Sequence, residues 1–274
     1  MPIETSLVIK DFNMLFEAAE MAKGRFKESP FFRGQVTTGE RDKQWKLLPE
    51  VLRNQSGDDR VPRQYGRQRE ITLFLSFCAG AHSRYPSVPD VTDYARWMSL
   101  MQHHGLPTRL LDWTGSILVA AFFAVCDGMA PCAGPPVIWA LGPGRLNSVQ
   151  GISNGRGFFR TDNTSISSVL NLLLQNKKFE QERIFAVVGE EIALKMMVQQ
   201  SCFTFHESEA PLEEFHGSDG KINPEDFLMK FEIYRDFDTE WRFRKSLDAA
   251  GIRESTLFPD LDRLASDLKE RYMP

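Results

Sequence analysis

The stretch Gln102-His103-His104-Gly105-Leu106-Pro107-Thr108-Arg109-Leu110-Leu111-Asp112-Trp113-Thr114 decides how this sequence is read. It sets His, Arg, Asp and two Thr beside a turn containing Gly105 and Pro107, with Leu and Trp interleaved. Charged groups among apolar ones are costly to bury unless a partner answers them. Arg109 and Asp112 therefore have two readings, a structural ion pair that orients a loop or part of a functional site.

Outward from this block the chain alternates irregularly between helix and strand patterns. Residues 90–104 read as a helix stopped by Gly105, and 67–83 as a strongly apolar helix before it. After the block, Ser116 is placed to cap an apolar helix running to Cys126. Strands are expected at 6–10, 31–35, 137–141, 184–188, 195–198, 202–205 and 227–233. Asp11 opens a first helix that Gly24 closes, and 45–53 is a loop entering a short helix. A helix is expected at 165–176, and others at 238–250 and 259–272. The glycine-rich stretch 143–164 reads as a long loop able to act as a lid. This order argues against a doubly wound parallel sheet and for an α+β fold. The chain is read as one domain over 1–274, with a helical portion at about 60–105 and a C-terminal helical segment at about 238–274.

Bulk properties narrow the function. The chain has 274 residues, 42% of them hydrophobic, enough for a substantial core. A net charge of −4 and a pI near 5.8 disfavour a broad nucleic-acid surface. The arginines at 60, 63, 67 and 69 read as a solvated helix start. Cys78, Cys126, Cys132 and Cys202 form no C-x-x-C pair, so no metal is expected and a reducing compartment fits. The N-terminal residues show no signal-peptide pattern, and the longest apolar run, 117–126, is too short for a bilayer. A cytoplasmic location without membrane partners is the expectation. Walker, G-x-G-x-x-G and calcium-loop patterns are missing from the sequence.

Two further features bear on chemistry. Arg33 sits inside the aromatic run Phe31-Phe32-Arg33-Gly34-Gln35. Its planar fork suits phosphate or carboxylate, or it pairs with an acid such as Glu70. Gln199 and Gln200 precede the strand at 202–205, as ligand-binding amides or as edge-strand polar residues.

Together these segments resemble the FRG domain family. The resemblance rests on Phe32-Arg33-Gly34, Trp45 with Leu48-Pro49, Glu70, the 102–114 block, Ala120 to Ala124, Gln199-Gln200 with Phe203, and Gly251-Ile252 with Thr256 to Asp262. His104 stands where the family usually has an aromatic residue, and Ser201-Cys202 where it usually has Gly-Ala. The family's layout is similar to that of ADP-ribosyltransferases, which implies small mixed or antiparallel sheets forming a cleft, surrounded by helices.

By that analogy Arg33, His103, Asp112 and Gln200 are catalytic candidates, with Glu70 and Glu207 as other proton acceptors. Phe32, Arg33, Gly34, Thr108, Arg109, Thr114, Ser116 and Gln199 would hold the ligand. The implied ligand is NAD as substrate, with a macromolecular acceptor, protein or nucleic acid, and a cognate inhibitor if the protein is a toxin or phage-defence effector. The competing reading is a non-catalytic module that binds a nucleotide or a partner. A metal-dependent nuclease is disfavoured by the charge and the lack of a metal-ligand cluster.

Overall fold

In the computed structural model, residues 3–36, 46–53, 66–85, 88–90, 93–125, 134–151, 159–160, 182–188, 194–234 and 236–273 are described. Their strands are β1 (Thr5–Ile9), β2 (Phe31–Gln35), β3 (Leu110–Thr114), β4 (Val137–Leu141), β5 (Phe159–Arg160), β6 (Ile184–Val188), β7 (Ser201–His206) and β8 (Leu228–Ile233). The helices are α1 (Met14–Phe26), α2 (Arg67–Ala81), α3 (Tyr94–His103), α4 (Ile117–Val125), α5 (Pro143–Val149), α6 (Leu194–Val198), α7 (Phe237–Ala249), α8 (Glu254–Leu257) and α9 (Leu261–Tyr272).

The strands join in one mixed sheet of order β1-β8-β4-β2-β3-β7-β6-β5. β1–β8 and β5–β6 are parallel and the other neighbours antiparallel. The expected separate small sheets are thus corrected to a single sheet, but one with a weak seam. β2 follows β4 over five consecutive positions, and β3 follows β7 over five. β2 and β3 meet only at Phe32↔Thr114. Two well-paired halves therefore touch at one register position and diverge beyond it.

Alternation along each strand explains the layers. On β4, Ile138 and Ala140 join α1, α4 and α7 in one core, while Val137, Trp139 and Leu141 face a second core with Leu47, Trp113 and Phe227. Both faces are covered, which is why β4 is buried at every position. A third core lies where α2 and α3 pack on Leu110, Phe185 and Phe205.

Gly34 is fixed by close packing. A Cβ there would lie 1.8 Å from the Ala120 carbonyl oxygen and 2.7 Å from the Ala124 nitrogen. Gly on β2 and Ala120, Ala121 and Ala124 on α4 let the helix ride directly on the strand. Ser116 caps α4 as expected, its Oγ accepting from the Val119 N–H at 3.4 Å.

Several boundaries differ from the sequence reading. Residues Leu194–Val198 form α6 rather than a strand. The expected loop at 143 begins with α5, with Pro143 in its first turn, where a missing N–H costs nothing. α1 runs past Gly24 to Phe26 and closes on left-handed Lys27 (φ 58°). The helix expected at 165–176, half of the lid (152–158 and 161–164), Trp45, Arg60, Arg63, Cys126 and Cys132 lie outside the described residues.

Candidate functional site

Where β2 and β3 part, they open a cleft of about 550 Å³. Arg33 comes from β2, Asp112 from β3, Arg53 from the segment after the turn Glu50–Leu52, and Lys195 from α6. Phe123 of α4 and Phe258 after α8 supply apolar wall, meeting edge to face at 6.1 Å between ring centroids.

Arg33 bridges the seam. Its Nη1 donates to the Asp112 carbonyl at 2.5 Å, a main-chain acceptor that β2 leaves without a ladder partner by diverging. Its Nε is shut away from solvent with no hydrogen-bond partner. Burial pulls the guanidinium down to about 10; Asp112 opposes this and the Arg53 charge adds to it. Arg53 is lowered as well, first by burial, with Glu50 and Asp112 opposing. Both stay cationic at neutral pH. Two desolvated like charges at one cleft are a standing cost that an anionic ligand would relieve. Gln35, two residues on from Arg33, accepts from Trp139 Nε1 at 2.9 Å through Oε1, while its buried Nε2 has no partner.

Asp112 is exposed in the cleft and tied on one side only. Gln102 Nε2 donates to Asp112 Oδ2 at 2.9 Å, and Thr108 Oγ1 donates to Gln102 Oε1 at 2.6 Å. Thr108 Oγ1 also accepts from the Leu110 N–H at 3.1 Å. The turn through Gly105 (φ 75°) folds the end of α3 back beside β3 and brings these residues together.

The cleft gathers some of the sequence candidates and omits others. Phe32, Arg33, Gly34, Asp112, Thr114 and Gln199 line it. Thr114 is already engaged, donating to the Gln199 carbonyl at 2.7 Å and accepting from the Ser116 N–H at 3.0 Å. Gln199 donates through Nε2 to the Leu257 carbonyl at 3.0 Å, pinning the α8 segment to the site.

Arg109 points elsewhere. It is 3% exposed, forks onto Glu70 at 2.6 and 3.0 Å, and reaches the His206 and Glu207 carbonyls at 3.2 and 3.3 Å. The pairings drawn from the sequence are thus exchanged: Glu70 answers Arg109, and Arg33 binds the main chain of Asp112. Glu207 is buried against Arg183, at 2.7 Å. His103 does not line the cleft; Gln102 does, from the same helical turn. Burial first, then His104 and Lys195, lower the His103 pKa. Gln200 is exposed and left-handed (φ 47°), and its Oε1 lies 3.2 Å from where a Gly115 Cβ would stand, so the amide covers that glycine instead of entering the cleft. Ser116 and Thr108 stand behind the walls as cap and support.

The sequence reading missed Arg53, Gln35, Gln102, Phe123 and Phe258 as cleft residues. A usable signal existed for Gln102, which opens the deciding block, and for Gln35, which shares a strand face with Arg33. Phe258 carried none, because only the tertiary path of the C-terminal segment brings it there. Among the described residues no group of three or more His, Cys, Asp or Glu is placed to hold a metal ion, and no helix is long and apolar enough to cross a membrane.

The protein thus mixes helices with one mixed sheet, at whose seam a cation-lined, ligand-sized cleft opens. The FRG domain family model matches residues 29–131, and that match includes β2, α2, α3, β3 and α4. No curated protein and no solved structure matches the chain. Lys195, Gln199, Ser201 and Phe258 complete the cleft from beyond the matched residues.

Proposed function

We propose that the cleft binds NAD and that the protein is an ADP-ribosyltransferase acting on a macromolecular acceptor. The observation that carries this reading is the pair of desolvated guanidiniums, Arg33 and Arg53, facing the Asp112 carboxylate across the β2/β3 opening. A dinucleotide matches that polarity. Its diphosphate relieves the cations, its ribose hydroxyls donate to the carboxylate, and its bases lie against Phe123 and Phe258. The divided sheet also supports an ADP-ribosyltransferase-like layout, with Arg33 as first element, β3 and α4 as second, and the 199–201 segment as third.

In the reaction the bond between ribose C1′ and the nicotinamide nitrogen breaks, and its electron pair leaves with neutral nicotinamide. A lone pair of the acceptor forms the new bond to C1′, and the acceptor's proton passes to Asp112 or to water. Positive charge develops on the ribose as the bond opens, and a carboxylate held nearby stabilises it more than it does the ground state.

A specific observation favours a second reading, a module that binds nucleotide without turnover. The Gln199 amide is committed to Leu257, and Gln200 lies over Gly115. Neither glutamine of the third element thus offers an uncommitted amide to a ribose. Nicotinamide release from NAD in cell extract, by wild type, Arg33→Met and Asp112→Asn, separates the readings. Turnover by wild type alone supports the transferase. Thermal stabilisation by NAD without turnover supports the module, and neither effect removes both.

A further inference from the structure

The hydrogen bonds behind Asp112 run in one direction. Thr108 Oγ1 accepts from the Leu110 N–H, so its single proton goes to Gln102 Oε1. With that oxygen fixed, the amide cannot flip, and its Nε2 must face Asp112 Oδ2. A carboxylate that receives a donor on Oδ2 keeps Oδ1 as an acceptor, and Asp112 lines the cleft. Its main chain is anchored separately, by Arg33 on the carbonyl. Thr108 is 4% exposed, Gln102 half-buried and Asp112 exposed, so the chain leads from the interior to the ligand space.

We propose that Gln102 and Thr108 are positioning residues that hold the Asp112 carboxylate as an oriented acceptor for the hydroxyls of a sugar-bearing ligand. This deepens the functional reading above and rests on it for the identity of the sugar as a ribose of NAD. Neither residue touches the ligand; each acts through Asp112. A ligand whose hydroxyls are lost or blocked forfeits this contact while keeping the cationic one. The site should therefore distinguish ribose from deoxyribose.

The test is a cycle of NAD affinities for wild type, Gln102→Met, Asp112→Ala and the double variant. Relay action predicts that Gln102→Met weakens binding by roughly 2- to 10-fold, the worth of one lost hydrogen bond. It also predicts no additional loss once Asp112 is Ala. Equal losses in both backgrounds would overturn the proposal, because a packing role does not depend on the carboxylate. Thr108→Ser keeps the hydroxyl and should bind as wild type, whereas Thr108→Val should not. If wild type binds no NAD, the functional reading fails, and the relay is judged by the Gln102 side-chain amide resonances in the free protein. They should move and lose protection from solvent exchange in Asp112→Ala; resonances unchanged between the two proteins would overturn it.

Discussion

Removing one member of the Arg109–Glu70 pair should cost far more stability than ligand affinity. Arg109 sits in the densest polar block of the sequence, yet its side chain is 3% exposed and Glu70's is 15%. Among the described residues four hydrogen bonds hold the guanidinium, two to the carboxylate and two to main-chain carbonyls at the end of β7 and just beyond it. Arg109→Met leaves a largely buried carboxylate and two carbonyls without donors. Breaking such a pair from one side costs about 3–5 kcal/mol. At roughly 2–4 °C per kcal/mol for a protein of this size, the melting temperature should fall by about 6–20 °C. Replacing both, Arg109→Met with Glu70→Leu, removes the stranded charge and should recover most of that loss. Urea unfolding supplies the energies, and the midpoint should shift with little change in slope. Below its transition the single variant should bind NAD as wild type does. A variant that unfolds at the wild-type urea concentration while losing ligand would refute the structural assignment and return Arg109 to the site.

Further outcomes follow from the geometry. Gly34→Ala forces a Cβ onto the Ala120 carbonyl and the Ala124 nitrogen, so α4 must lift from β2. Thermal melting should show at least the roughly 1–3 kcal/mol of an overpacked core, and an unchanged melt would contradict the close approach. Glu213, whose oxygens accept from the Leu47 N–H at 3.1 and 3.0 Å, is pushed up to about 7, chiefly by burial. Its folded pKa lies above its unfolded one, so the native state holds the extra proton. Its contribution is present below about pH 4.5 and is lost as pH rises toward 7. Glu213→Gln should therefore gain on wild type by on the order of 3 kcal/mol between those limits, read as the difference in urea stability at each pH. A constant difference across that window would rule this out.

How far the sequence carried the fold can be seen strand by strand. β1, β2, β4, β6, β7 and β8 were visible as short apolar runs, and α4 as an apolar helix with a serine cap, whereas β3 lay inside the mixed block and was not expected as a strand. Short runs mislead where period cannot decide: Lys195 to Val198 carries Met196, Met197 and Val198 and reads as a strand, but five residues of helix satisfy it equally. Pro143 and Gly144 suggested a loop, although proline suits the first turn of α5. At the site, Arg33 and Asp112 were legible because charge inside an apolar run demands a partner. Their actual partners were not, since register and the seam between β2 and β3 arise from tertiary pairing. The same limit exchanged the partners of Arg109 and Glu70, and it hid Arg53 and Phe258.

The most direct test of the central claim is calorimetric titration of NAD into wild type and Arg33→Met. Binding by wild type, weakened at least tenfold in the variant as a charge-assisted contact worth about 1.5–3 kcal/mol is lost, is the predicted result. Equal affinity in the two proteins would place NAD outside the β2/β3 cleft, and no heat from folded wild type would contradict the account at its root.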